Sequence, residues 1–226
     1  MILGCIQPSY IPWRGYFHII QKSDFFVFHD DIQYTKQDWR NRNKIKLGTT
    51  PVWLTVPVKK FKHDSLIKDI QIDNSQPWAA KHWHLIKTAY GKSPCFSRYA
   101  SILKEIYSTS WEYLSDLDIC LTEELTGLLG VSHVQFIRSS DMEITGQKTE
   151  RLIQMCAKLQ ITKYISGPAA RDYIEPERFS EMSVELEYMT YNYPEYPQLH
   201  GGFEPFVSVL DLLFNMGEDA PKYIWG

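Results

Sequence analysis

The sequence predicts a three-layer α/β fold around a mostly parallel sheet, on three observations. The first thirty residues read as strand, corner, helix and strand, an order that closes into a parallel pair. Beyond them, apolar runs of strand length keep alternating with stretches of helical periodicity. Hydrophobic residues make up 44% and charged residues 23% of 226, which suits one full core rather than a disordered chain. The expected sheet is Rossmann-like. The helices of about 78–129 are expected to form a lobe of a single domain, 1–226.

Met1 to Ile6 is a continuous apolar run suited to a buried strand, and Pro8 and Pro12 break it. Trp13, Phe17 and Ile20 then recur at helical spacing, so a helix is expected to Gln21. Phe25–Phe28 reads as a second buried strand. Trp53–Val58 and Ile67–Ile72 read as two more, separated by the charged turn 59–64. A helix is expected over Trp78–Tyr90, with Asn74 or Ser75 as N-cap and Pro77 near the first turn. Helices follow at Ser97–Tyr107 and Trp111–Leu129, the second closed by Gly130. Val134–Arg138, Tyr164–Ser166 and Val184–Met189 are strand-like, and Thr149–Leu159 is amphipathic. Tyr191–Gly202 reads as an ordered loop, and Pro205–Met216 as a closing helix.

Composition removes several function classes. Cys5, Cys95, Cys120 and Cys156 form no CxxC pair and no zinc spacing, so no metal is expected. No window approaches the roughly 18 apolar residues of a membrane span, and the thiols read as reduced, so a cytoplasmic protein is expected. A net charge of −3 is not that of a nucleic-acid binder. Between Lys36 and Lys62, however, eight basic residues face one acid, Asp38, leaving about −10 on the remainder. Such a segment is either a solvated loop or a cradle for phosphate or an acidic partner.

The corner from Gln7 to Tyr16 carries the strongest local signal. The C-terminal end of a first parallel strand, feeding a helix, is where α/β proteins place ligands. Gln7 and Tyr10 supply polar contacts, and Gly15 permits close approach to the helix. Tyr10, Tyr34 and Trp39 offer rings for stacking on a base or sugar.

Several stretches together closely resemble the WbqC-like protein family. They are IQPSYIPWRGYFHII, FFVFHDDIQYTK, WRNRNKIK, WLTVPV, YISGPAARDYI, YPQ and VSVLDLLFNMG, and they cover nearly the whole chain. That family is associated with bacterial surface-polysaccharide and O-antigen gene clusters. For some members the resemblance implies an N-acyltransferase. It moves an aminoacyl (glycyl) group from a carrier-protein thioester to the amine of a nucleotide-linked 4-amino-4,6-dideoxy sugar. The implied partners are that sugar nucleotide and an acyl carrier protein whose phosphopantetheine bears the acyl group; no tightly bound cofactor is implied. Matching positions here are Gln7, Pro8, Tyr10, Asp31, Gln33, Tyr34, Asn41, Arg42, His82, Ser166, Gly167, Gln198 and Asp211.

Acyl transfer to an amine needs a base, oxyanion donors and a grip on each substrate. His82 matches the family pattern and suits a general base, unless it is a packed core histidine. His82 and His84 stand two apart on the helix, so only one is expected to face a site. Asp30 and Asp31 end a strand, where an acid can orient a base, hold a substrate ammonium, or merely cap local backbone. Arg42, beside Asn41, can grip a diphosphate bidentately. Ser166-Gly167 ends a strand where backbone can approach a ligand closely. A catalytic cysteine would need an electropositive, accessible setting that no Cys here shows in sequence. A weaker similarity runs to HxGH nucleotidylyltransferases and pantothenate synthetases, with Gly167–Arg171 at their phosphate-binding turn. The corner reads Pro12-Trp13-Arg14-Gly15-Tyr16, without the histidines. A degenerate nucleotidyltransferase or ATP-dependent amide ligase, or a non-catalytic sugar-nucleotide-binding protein, remain the alternatives.

Overall fold

The N-terminal apolar run has no polar alternation, as expected of a strand covered on both faces. In the computed structural model, which describes residues 1–226, it is the central strand of the sheet. In chain order the elements are β1 (Ile2–Ile6), α1 (Arg14–Gln21), β2 (Phe25–Phe28), β3 (Arg42–Leu47) and β4 (Thr50–Thr55). Then come α2 (Trp78–Tyr90), α3 (Phe96–Ser108), α4 (Leu114–Leu128), β5 (Gln135–Arg138) and α5 (Thr149–Lys158). The chain ends with β6 (Lys163–Ser166), α6 (Pro176–Glu181), β7 (Glu185–Tyr188) and α7 (Val209–Met216).

The main sheet runs β5-β2-β1-β6-β7 and is parallel throughout. This is the strand order of a doubly wound sheet, reversing at β1, and it is Rossmann-like as the sequence predicted. Alternate side chains feed two cores. Phe26, Phe28 and Ile165 pack with α1, the α2–α4 helices and α7 on one face. Leu3, Cys5, Val27 and Tyr164 pack with α5 and α6 on the other. Gly4 lets α1 close on β1. A Cβ there would stand 2.6 Å from Ser23 Oγ and 2.7 Å from Ile19 Cγ2. Gly4→Ala is therefore expected to cost about 1–3 kcal/mol by overpacking, read as a lower urea midpoint. An unchanged midpoint would show that α1 is free to shift.

Four local expectations are corrected. The strand expected at Trp53–Val58 starts earlier, as β4, and pairs antiparallel with β3 in a hairpin apart from the main sheet. The sequence hides β3 because its outward residues are basic. Arg42 and Lys44 lie over the Trp53 ring at 4.4 and 4.9 Å, while Asn43 and Ile45 are buried. Ile67–Ile72 is not a strand but a 3-10 turn, Ile67–Asp69, followed by isolated bridges from Gln71 and Ile72. Its buried residues Ile67, Ile70 and Ile72 follow no alternation. The closing helix begins at Val209, since the chain from Pro205 to Val207 lines a cavity instead. Pro77, rather than Asn74 or Ser75, occupies the N-cap of α2; Asn74 instead accepts a hydrogen bond from Trp78 Nε1 at 3.0 Å. No helix is long and apolar enough to cross a membrane.

Candidate functional site

β1 leaves the sheet towards α1 on one face, whereas β6 leaves towards α6 on the other. Neighbouring parallel strands whose connections part in this way leave a crevice beyond their carboxyl ends. Gln7 and Gly167 flank it, immediately beyond the ends of the adjacent strands β1 and β6. A cavity of about 570 Å³ opens here, lined by Ile6, Gln7, Ser9, Pro12, Trp13 and Tyr16 from the first strand and corner. Asp38, Trp39, Arg40 and Asn43 line a second side, and Tyr191 with Pro205–Val207 a third.

The corner is strained and held. Ile11 has φ of 38°, a left-handed conformation that a β-branched residue adopts only under constraint. Asn43 Nδ2 donates to the carbonyls of Tyr10 and Ile11 at 3.2 and 2.8 Å, Tyr10 N donates to Trp39 O, and Val209 N to Pro12 O. These bonds aim Pro12 and Trp13 into the cavity wall. The space at Gly15 is filled from within, because a Cβ there would lie 2.3 Å from the Trp13 ring. Trp13 in turn meets Tyr191 edge-on, with ring centroids 4.8 Å apart.

Asp38 is the single carboxylate of this wall. Burial pushes its pKa up, but the Thr35 hydroxyl, the Arg40 guanidinium and the Trp39 N–H outweigh it and hold the group below the usual range. It is an anion at neutral pH, set among rings. Trp39 and Phe206 stand at the rim, 51% and 73% exposed. Asp38, Arg40, Asn43, Tyr191 and Phe206 were not legible as site residues. The only hint was Asp38, a lone acid in a basic run.

The sequence-derived residues fall in several places. Gln7 lines the cavity and Gly167 borders its crevice, where a Cβ would sit 3.7 Å from the Tyr191 hydroxyl. Ser166 is buried at the end of β6. Tyr10 and His82 are core residues. Tyr10 Oη lies 2.7 Å from His82 Nδ1 and 2.5 Å from Tyr107 Oη, and Trp78 packs edge-on to His82. Burial lowers the His82 pKa to about 4, so it is a neutral, packed imidazole and not the cavity base that the sequence suggested. His84, its i+2 neighbour, is exposed.

Asp30 is fully buried and bonded to Ser139 and Ser140 beyond β5. Asp31 pairs with Arg151 of α5. Burial raises the Asp31 pKa, but Ser139 and Arg151 overcome it and keep the carboxyl below its usual range. Both acids therefore join β2, β5 and α5 and do not line the cavity. Arg151 Nε also donates to His29 Nε2 at 3.1 Å, which requires a neutral His29. Gln33 is exposed and donates to His63 O; Arg42 stacks on Trp53. Tyr34 and Asn41 line a second cavity. Gln198 stitches the loop before α7, bonding Tyr196 Oη and the backbone of Glu204. Cys5 and Cys156 are buried and their thiols pushed up, Cys156 to about 12, so neither is poised as a nucleophile.

Comparison with known proteins agrees with the sequence resemblance. The chain is 42% identical, over 225 residues, to the uncharacterized protein Rv1507c of Mycobacterium tuberculosis, covering 98% of this chain and 96% of that one. No solved structure matches it. The model of the WbqC-like protein family matches residues 7–223, and the chain belongs to that family.

Proposed function

We propose that the protein is an N-acyltransferase, moving an aminoacyl group, glycyl by family resemblance, from a carrier-protein thioester to the amine of a nucleotide-linked 4-amino-4,6-dideoxy sugar. The observation that carries this reading is one ionised carboxylate, Asp38, set in an aromatic cavity at the switch point of the sheet. Aromatic faces with few polar groups suit a deoxy sugar, and the carboxylate suits its amine. In this scheme Trp13, Trp39 and Tyr191 stack on the acceptor while Asp38 orients the amine. The neutral nitrogen attacks the thioester carbonyl, the C–N bond forms, and Asp38 takes the proton of the adduct. The C–S bond then breaks and sulfur departs, leaving as a thiol once protonated. The Gln7 side chain, on the same wall, serves the oxyanion. The activated thioester supplies the driving force.

Incubation with a loaded carrier protein and an amino sugar nucleotide, followed by mass analysis, is expected to show the acylated sugar. Asp38→Asn is expected to lower kcat per folded molecule by about 10²-fold or more, and to lower the thermal midpoint as well because the buried Arg40 loses its counter-ion. An acylated product made at wild-type rate by that variant would remove Asp38 from the chemistry. No product with any amine, together with tight nucleotide binding, would replace the enzyme reading with that of a binding protein.

A further inference from the structure

The 36–41 turn has two sides. Asp38, Trp39 and Arg40 face the first cavity, while Lys36, Gln37 and Asn41 wall a second of about 430 Å³. Its remaining lining is Tyr34, Val58, Lys59, Lys60 and Phe61. No carboxylate lines it, so three ammonium groups share one concave surface. None of the three forms a salt bridge: Lys59 Nζ donates to Gln71 Oε1 at 3.1 Å and only feels Asp73 at longer range, and Lys36 Nζ lies 5.3 Å from the Phe61 ring centre. Like charges gathered in a hollow raise its potential and draw in an anion.

Asn41 adds a second, independent requirement. The residue is 6% exposed, and Nδ2 donates to Val56 O at 3.0 Å. Its backbone is pinned by bonds to Asp38 O and from Val56 N, so the side chain is held in place. The Oδ1 atom is buried and accepts no hydrogen bond. A buried acceptor of this kind calls for a donor. The occupant must therefore bring anionic oxygens for the lysines, and a donor from it or from ordered water is what Asn41 Oδ1 lacks.

We infer that this second cavity binds a phosphate ester that carries a neighbouring hydroxyl or amide donor. Two sources share that chemistry, a nucleoside diphosphate and a phosphopantetheine. The assignment holds whether or not the protein transfers acyl groups.

Calorimetric titration of the whole protein distinguishes the outcomes, with thymidine diphosphate, phosphopantetheine and pyrophosphate as probes and thymidine and pantetheine as uncharged controls. At least one phosphate ester is expected to bind about tenfold or more tighter than its uncharged control, and to weaken as salt is raised. Lys36→Gln, Lys59→Gln and Lys60→Gln combined are expected to erase that difference; all three side chains are exposed, so the fold is kept. Asn41→Leu is expected to weaken the esters more than pyrophosphate, which lacks their hydroxyl and amide donors. The tighter ester names the source, sugar nucleotide or carrier arm. Wild-type affinity in the triple lysine variant would overturn the site, as would failure of every phosphate probe to bind at millimolar concentration. Failed acyl transfer with intact, lysine-dependent phosphate binding would count against the enzyme reading alone.

Discussion

Asp30→Ala is expected to destabilise the protein by about 3–5 kcal/mol, lowering the thermal midpoint by on the order of 10 °C. The carboxylate has no access to water. It accepts from Ser140 N and Ser140 Oγ, both at 3.0 Å, and Ser139 Oγ lies 3.2 Å from it. These bonds clamp the end of β2 to the turn beyond β5. Ser139 Oγ also reaches Asp31 but has one proton to give, so Asp30 relies mainly on Ser140. Alanine would leave the Ser140 donors without their partner in a closed site, and hydrogen bonds to a charged acceptor are the costly ones to lose. Asp30→Asn, which retains one acceptor, should cost roughly half as much. Activity per folded molecule should persist in that variant, since Asp30 does not line the cavity. A thermal midpoint unmoved by Asp30→Ala would refute the clamp.

Mild acid should weaken the fold well above the pH at which carboxylates titrate. Burial and the adjacent Arg151 lower the His29 pKa to about 4, and burial lowers that of His82 to about 4. Both rings are shielded, His82 at 6% exposure. Each is neutral in the folded state, whereas the unfolded chain binds a proton near pH 6.5. Between those values the unfolded state holds more protons, so stability rises with pH. It is fully present above about 6.5 and is lost as pH falls towards 4. Each histidine should contribute on the order of 1–2 kcal/mol to the loss between pH 7 and 5. The Asp31–Arg151 pair lies outside this window, because a depressed carboxyl pKa costs stability only below about pH 4. Urea midpoints measured from pH 7 to 4.5 are expected to fall steeply, and His29→Gln with His82→Gln should flatten the curve. A midpoint constant from pH 7 to 5 would mean that one or both rings are charged in the fold.

The inner strands β1 and β2 were readable because strands buried on both faces are apolar along their whole length, and the edge strand β7 because its residues alternate. The order β5-β2-β1-β6-β7 was not, since pairing joins residues far apart in the chain. The hairpin strand Arg42–Leu47 escaped notice because its basic residues announce solvent, while Trp53 across the hairpin covers two of them. For the helix 78–90, spacing established that His82 and His84 point apart. Only packing decided that the inward face meets Tyr10, Tyr107 and Trp78 rather than a ligand.

By itself the sequence determined the α/β class, the strand-to-helix corner and the family, all of which rest on local pattern or on motifs that survive without coordinates. Tertiary structure decided which residues share a wall. Asp38, Trp39, Arg40 and Asn43 come from a charged turn and a hairpin, and Tyr191 and Phe206 from the loop before α7. They meet Gln7 and Trp13 because the strand connections part at β1 and β6, leaving one crevice that distant segments close. Membership of that wall depends on long-range burial, which the period of a single segment does not record.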